Sequence, residues 1–350
     1  MGKFIQTRRQ LLVRGAATLG ALTLSGAQTA SAKADRVVFA DFGGTTRRVR
    51  EEIFFAPFTE RTGVKVVSAD ADLARFKFMA ERGRSQWDAA DVNGGEVALM
   101  ATQSLLTPLP SGIARSDFVP AEWQDYATAG FANCFCIGYN TEQNSGAPSS
   151  WKDFFDLAKF PGRRGLPRTY FGPAVVEAAL LADGVELKDL YPLDYKRAFQ
   201  KLDSIRDSVL FYQDHASGQQ ALHQGSVRMS ILVSGRVDQL KQSGSPVDIA
   251  WEQAFVYPWS GAAVPKGAPN GDAIFELLDS MMKPEVQAEF AKRTGYGPAL
   301  SAAFDHLDAD TRKRLPNAPE HAGQVINMDL VYYSKIRDEY MKAYLDWLGA

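Results

Sequence analysis

Two glycine-led junctions and two arginines are the residues of this chain whose types and spacing best suit a chemical task, and the task is holding an anion rather than breaking a bond. Gly43-Gly44-Thr45-Thr46 and Asn93-Gly94-Gly95-Glu96 each follow a short apolar run and open a stretch of helical periodicity. A chain that turns from strand through glycine into helix leaves the first amide N–H groups of that helix unpaired. Together with the hydroxyls of Thr45 and Thr46, they can donate to a carboxylate or another oxygen acceptor. Arg168 and Arg236 are forked donors that would complete such a site. Thr45 has a second reading as an ordinary helix cap. Arg47, Arg48 and Arg50 read as solvated charges on the outer side of their helix.

Bond-breaking chemistry finds little support. The four histidines are His215, His223, His306 and His321, and neither HExxH nor GxSxG occurs, so an exported hydrolase lacks its usual machinery. Cys134 and Cys136 sit two apart in an extended run, near the upper limit of separation for a disulfide, and read as buried free thiols. Without CxxC or a His/Cys cluster a zinc site has no support, and no cofactor is expected. Tyr332-Tyr333, with Asp329 nearby, keeps a ferric-ion binder open as an alternative. Adjacent helical residues diverge by about 100°, however, so packing is the expected role of the pair.

The elements that must position these residues alternate. Val37 to Ala40 reads as a strand, Thr46 to Thr62 as a helix stopped by Gly63, and Val64 to Val67 as the next strand, which is a βαβ opening and hence a parallel sheet. A helix over Leu73 to Arg82, a strand over Asp88 to Val92 and a helix from Glu96 continue it. Ligands of open α/β sheets bind beyond the carboxyl ends of the strands, where both glycine junctions fall. Asn133 to Tyr139 reads as a strand crossing into a second alternating region. This holds strands at 164–169, 209–212, 227–233 and 247–251 and helices at 151–157, 173–182, 194–206 and 235–243. Trp259 to Val264 reads as a return crossing, followed by helices at 272–282 and 284–293. Met328 to Leu348 reads as a long amphipathic helix packed back on the second region.

Residues 1–32 have the form of an export signal. Lys3, Arg8, Arg9 and Arg14 are the only charges, Leu11 to Leu24 is apolar apart from Arg14, and Ala30-Ser31-Ala32 ends in small residues. Thr7-Arg8-Arg9-Gln10-Leu11-Leu12 resembles a twin-arginine signal. Cleavage after Ala32 would remove four cations, taking the formal charge from −2 to −6 and leaving a soluble periplasmic product. A mildly acidic chain does not call for a nucleic-acid partner.

Phe42-Gly43-Gly44, Trp87-Asp88 with Asp91-Val92-Asn93-Gly94-Gly95, Tyr139-Asn140, Trp151-Lys152-Asp153-Phe154-Phe155 and Phe160-Pro161-Gly162-Arg163-Arg164-Gly165 follow one another in an order that resembles the spermidine/putrescine-binding family of importer proteins. Ala182-Asp183-Gly184, Tyr191-Pro192-Leu193-Asp194, Val264 to Asn270 and Gly295-Tyr296-Gly297-Pro298 extend the likeness across the chain. The resemblance implies a type II periplasmic binding fold, an α/β architecture of two lobes joined by a hinge. Lobe 1 would span 36–138 and 260–302, and lobe 2 would span 141–257 and 303–350. It also implies a monomer that binds a small-molecule ligand by closing its lobes and passes it to an ABC importer permease in the inner membrane.

The same resemblance puts Phe42, Asn93, Trp259 and Tyr296 at or beside pocket positions. It puts Phe171, Ala174 and Ser260 where the family carries acids, and Val233 where it carries tryptophan. A buried polyamine needs acidic partners, and losing them argues for a different guest unless Glu96, Glu177, Asp214 or Glu252 compensate. Thr45, Thr46, Gly95, Arg168 and Arg236 therefore point to a small carboxylate-bearing solute, an amino-acid-like zwitterion or amine derivative.

Overall fold

The computed structural model describes residues 34–144, 146–168 and 174–349. The leader and Phe171 lie outside the described residues. In chain order the elements are β1 (Arg36–Asp41), α1 (Gly44–Arg50), a π-helical turn (Glu51–Phe55), α2 (Ala56–Thr62), β2 (Lys65–Asp70), α3 (Leu73–Glu81), β3 (Ala89–Asn93) and α4 (Gly94–Thr102). There follow β4 (Phe131–Asn140), α5 (Trp151–Phe155), β5 (Arg164–Pro167), α6 (Val175–Ala182), α7 (Tyr195–Asp203), β6 (Val209–Tyr212), α8 (His215–His223), β7 (Met229–Val233) and α9 (Ser234–Gln242). The chain closes with β8 (Val247–Tyr257), β9 (Ser260–Ala263), α10 (Gly271–Met281), α11 (Pro284–Thr294), β10 (Gly297–Pro298), α12 (Ala309–Arg312), β11 (Ile326–Asn327) and α13 (Leu330–Gly349).

Two sheets result. The first runs β2-β1-β3-β9, with β1 parallel to β2 and β3, and β9 antiparallel to β3. The second runs β11-β8-β4-β7-β5-β6, with β10 added on β4. Its middle is antiparallel, β4 lying between β7 and β8, whereas β5 pairs parallel with β6 and β7. Only Pro258 and Trp259 separate β8 of the second sheet from β9 of the first.

Local chemistry explains most element ends. Gly63 takes the left-handed conformation at φ 77° and its N–H bonds Thr59 O at 2.8 Å, which ends α2 where the sequence places the stop. Asp72, Asp194 and Asp214 accept from the backbone N–H of Arg75, Arg197 and Ser217, capping α3, α7 and α8. The strands at 133–139 and 247–251 are longer than expected, reaching Phe131–Asn140 and Val247–Tyr257, because each lies inside the sheet and pairs along most of its length.

Arg50 departs from its expected role as a solvated charge. Thr46, Arg50, Phe54 and Phe58, at i+4 steps, form a buried stripe of the helical run, and Arg50 is 1% exposed. Its guanidinium makes a forked pair with Asp91 on β3, with Nη2 to Oδ1 at 2.9 Å, and lies over the rings of Phe39, Phe131 and Phe290. A buried carboxylate in reach supplied what periodicity could not show. Arg47 is likewise paired, with Asp41 and Asp70, both at 2.8 Å.

The C-terminal helix packs on the second sheet's helices along its length, with Tyr333 and Tyr340 donating to Glu177 of α6. Trp347 stacks on Phe199 and donates to Asp203, and the Tyr344 hydroxyl donates to Pro167 O at 2.6 Å. Its first turn also covers α4, where Leu330 sits against Gly94 and Gly95.

Candidate ligand-binding cleft

Strand alternation builds the floor of the cleft. Along β4, Phe131, Asn133 and Phe135 face one side, while Cys134 and Cys136 face the other and join a separate buried cluster with Leu222, Leu232 and Val237. Both cysteines are free and buried. Cross-strand neighbours share a face, so Val233 of β7, opposite Phe135, and Tyr257 of β8, opposite Asn133, complete the floor. The first sheet's side contributes Phe42, Gly43, Thr46 and Asn93 from the strand-to-helix junctions of β1 and β3. Arg236 of α9, His215 at the start of α8 and Tyr296 close a cavity of about 290 Å³.

The electrostatics are one-sided. Arg236 is the only arginine, lysine or acid among the residues lining this cavity, and it enters no ion pair among the described residues. His215, half-buried and close to Arg236, has its imidazole pushed down to about 4 by desolvation and by Arg236 and is neutral at ordinary pH. The Oδ1 atom of Asn133 is buried and accepts no hydrogen bond among the described residues. Phe42, Phe131, Phe135, Tyr257 and Tyr296 supply ring surface; Phe131 packs on Tyr296 at 4.9 Å and on Phe42 edge-on at 6.5 Å. The cavity therefore offers one cation, unsatisfied acceptor capacity and aromatic walls. It is equipped to hold a small polar organic molecule.

The bacterial extracellular solute-binding protein family matches residues 54–320. The chain belongs to that family. Like other family members, this solute-binding protein is a substrate-binding component of ABC transport that takes small ligands, in a type II periplasmic binding fold. It is 28% identical over 334 residues to the γ-aminobutyric acid-binding protein of Pseudomonas aeruginosa, covering 93% of this chain and 94% of that protein. A solved structure of a GABA receptor is similar at TM-score 0.80 and 33% identity, covering 89% of this chain and 97% of that one. The spermidine/putrescine-binding periplasmic protein of Escherichia coli is 22% identical over 220 residues, covering 62% of each chain. These relatives are binding proteins, and no helix among the described residues is long and apolar enough to cross a membrane.

Of the residues singled out in the sequence, the fold brings Phe42, Thr46, Asn93, Val233, Arg236 and Tyr296 together around the cavity. Thr45 turns instead toward α9, its hydroxyl donating to Gln239 Oε1 at 3.3 Å. Gly95 is pressed under Leu330, where a Cβ would lie 2.0 Å from the carbonyl oxygen, and Trp259 fills the space above Gly94. These glycines admit the close approach of α13 and Trp259 rather than of a ligand. Glu96 lines a neighbouring recess of about 60 Å³ and is held by Lys77 at 3.2 Å. Ser260 spends its hydroxyl on the backbone of Phe131. Asp214 is an exposed cap and Arg168 is exposed, neither lining the cavity.

Glu177 is fully buried, yet faces α13 rather than the cavity. It accepts from the Tyr333 hydroxyl, from the Tyr340 hydroxyl at 3.0 Å and from the Ala174 N–H at 3.0 Å. Burial outweighs those bonds and pushes its carboxyl up to about 7. Tyr333 is thereby engaged in the interior, also touching the Tyr191 hydroxyl at 2.9 Å, and the adjacent tyrosines do not converge on the cleft. Phe131, Asn133, Phe135, His215 and Tyr257 were missed as lining residues. The alternation along 131–135 was the signal, but one strand's periodicity does not tell which of its faces meets a cleft.

Proposed function

We propose that this solute-binding protein captures a small amino-acid-like zwitterion with a carboxylate and an amine, of the γ-aminobutyrate kind, and releases it to an inner-membrane ABC permease. Arg236 carries the reading. An arginine facing a cavity without an opposing carboxylate favours an anionic group, and a forked guanidinium matches a carboxylate in two hydrogen bonds. Asn133 Oδ1 would accept from the amine, and the aromatic walls would hold the methylene chain and face the cationic end. A spermidine cage needs acids on the wall, and the cavity has none among its lining residues. The names of relatives with γ-aminobutyrate as ligand agree with this preference.

Export by the leader, cleavage after Ala32, action as a monomer and lobes at 36–138 with 260–302 and 141–257 with 303–350 complete the proposal. The ligand would touch both sides of the cleft and stabilise the closed form by differential affinity. Titration calorimetry against γ-aminobutyrate, 5-aminopentanoate, putrescine and spermidine tests it. The amino acids are expected to bind and the polyamines to be silent; tight spermidine binding without response to the carboxylates would overturn it.

A further inference from the structure

Cleft closure under the proposed function requires the junction after β1 and the helix after β7 to meet, and the structure shows a seam where they do. Thr45 Oγ1 donates to Gln239 Oε1 at 3.3 Å across a sequence separation of 194 residues. One turn earlier on the same helix, Arg236 extends over Gly44, its Nη2 3.4 Å from where a Cβ would stand. Gly44 has φ +66°, so any side chain there would be strained as well as pressed on the guanidinium. Arg236 lines the cavity; Gln239 and Thr45 do not. The other side of α9 is fixed, because Arg314 grips Asp238 through Nε and Nη2 at 2.9 and 3.1 Å and its Nη2 also donates to Lys292 O at 3.0 Å. Successive positions of one helix thus serve the ligand, the support and the seam.

We propose that Gln239 and Thr45 form a closure latch, positioning residues that set the population of the closed form without touching the ligand. The inference rests on the clamshell reading above. An interaction present only in the closed form raises apparent affinity by the factor by which it raises the closed population, and it does so equally for every ligand. Losing one neutral hydrogen bond of this kind corresponds to about a fivefold shift. Because the latch does not contact the guest, its loss should appear in the dissociation rate and leave ligand preference unchanged.

The test is a double-mutant cycle on the full chain with Thr45→Val and Gln239→Ala, read by calorimetry and stopped flow with γ-aminobutyrate and 5-aminopentanoate. Each single change is expected to weaken both ligands about fivefold by the same ratio, and the double variant should be no weaker than either. Gly44→Ala, which disturbs the same seam from the backbone, should weaken both ligands as well. Additive single effects, unequal effects on the two ligands, or unchanged affinity would each overturn the latch. If neither amino acid binds the unaltered chain, the ligand reading fails by itself, and small-angle scattering of the unliganded proteins decides the latch. A more expanded Gln239→Ala chain supports the latch, and identical curves reject it.

Discussion

The two walls of the cleft manage charge in opposite ways. On the first sheet's side, cations and acids are matched within the wall: Arg50 with Asp91, Arg47 with Asp41 and Asp70, and Glu96 with Lys77. That wall presents the cavity with Phe42, Gly43, Thr46 and Asn93, which are uncharged. On the second sheet's side Arg236 is left facing the cavity, beside a histidine that burial and Arg236 itself keep neutral. Internal pairing hides the charge of one wall, whereas the other wall turns an arginine without an ion-pair partner among the described residues to the cavity. The density of charged residues in a segment therefore says little about the charge that a ligand meets.

The sharpest way to break this contrast is to unpair the first wall. Arg50→Ala would leave Asp91 buried without its partner and should cost about 3–5 kcal/mol, read by urea unfolding. Second in size is a pH effect in the second sheet's surroundings. The Glu177 carboxyl, at about 7 in the folded chain against an ordinary 4.5, contributes its full stability below about pH 4.5 and loses it as pH rises through 7. That amounts to about 3 kcal/mol at 1.36 kcal/mol per pKa unit. Glu177→Gln should flatten the dependence of unfolding free energy on pH across this window.

Arg236→Ala should weaken carboxylate ligands by about 2–3 kcal/mol, roughly 30- to 150-fold, with little change in thermal midpoint, because this arginine has no ion-pair partner among the described residues. Asn133→Ala should weaken γ-aminobutyrate by about fivefold and succinate semialdehyde, which lacks the amine, by less. The smallest effect is expected for Asp214→Ala, which removes an exposed helix cap: calorimetric affinity should stay unchanged while the melting temperature falls slightly.

The glycine stop at Gly63, the βαβ opening and the order of turns across the chain are local signals, and they were legible because each depends on residues within one turn or one strand. Phe42, Thr46, Asn93, Arg236 and Tyr296 were legible as cleft residues through their place beside such turns and within a family-like order. Gly95, Trp259 and Ser260 shared the same kind of neighbourhood but were taken up by packing, since α13 covers α4 and the Ser260 hydroxyl is drawn to Phe131.

The sequence by itself determined an alternating α/β chain and where its helices stop. Tertiary structure alone decided which face of β4 looks into the cleft, which arginine of the 47–50 run is buried and which helix N-terminus stays open. The reason is range: caps, turns and periodicity act over a few residues, whereas burial, ion pairing and the meeting of Thr45 with Gln239 depend on segments that only the folded chain brings together.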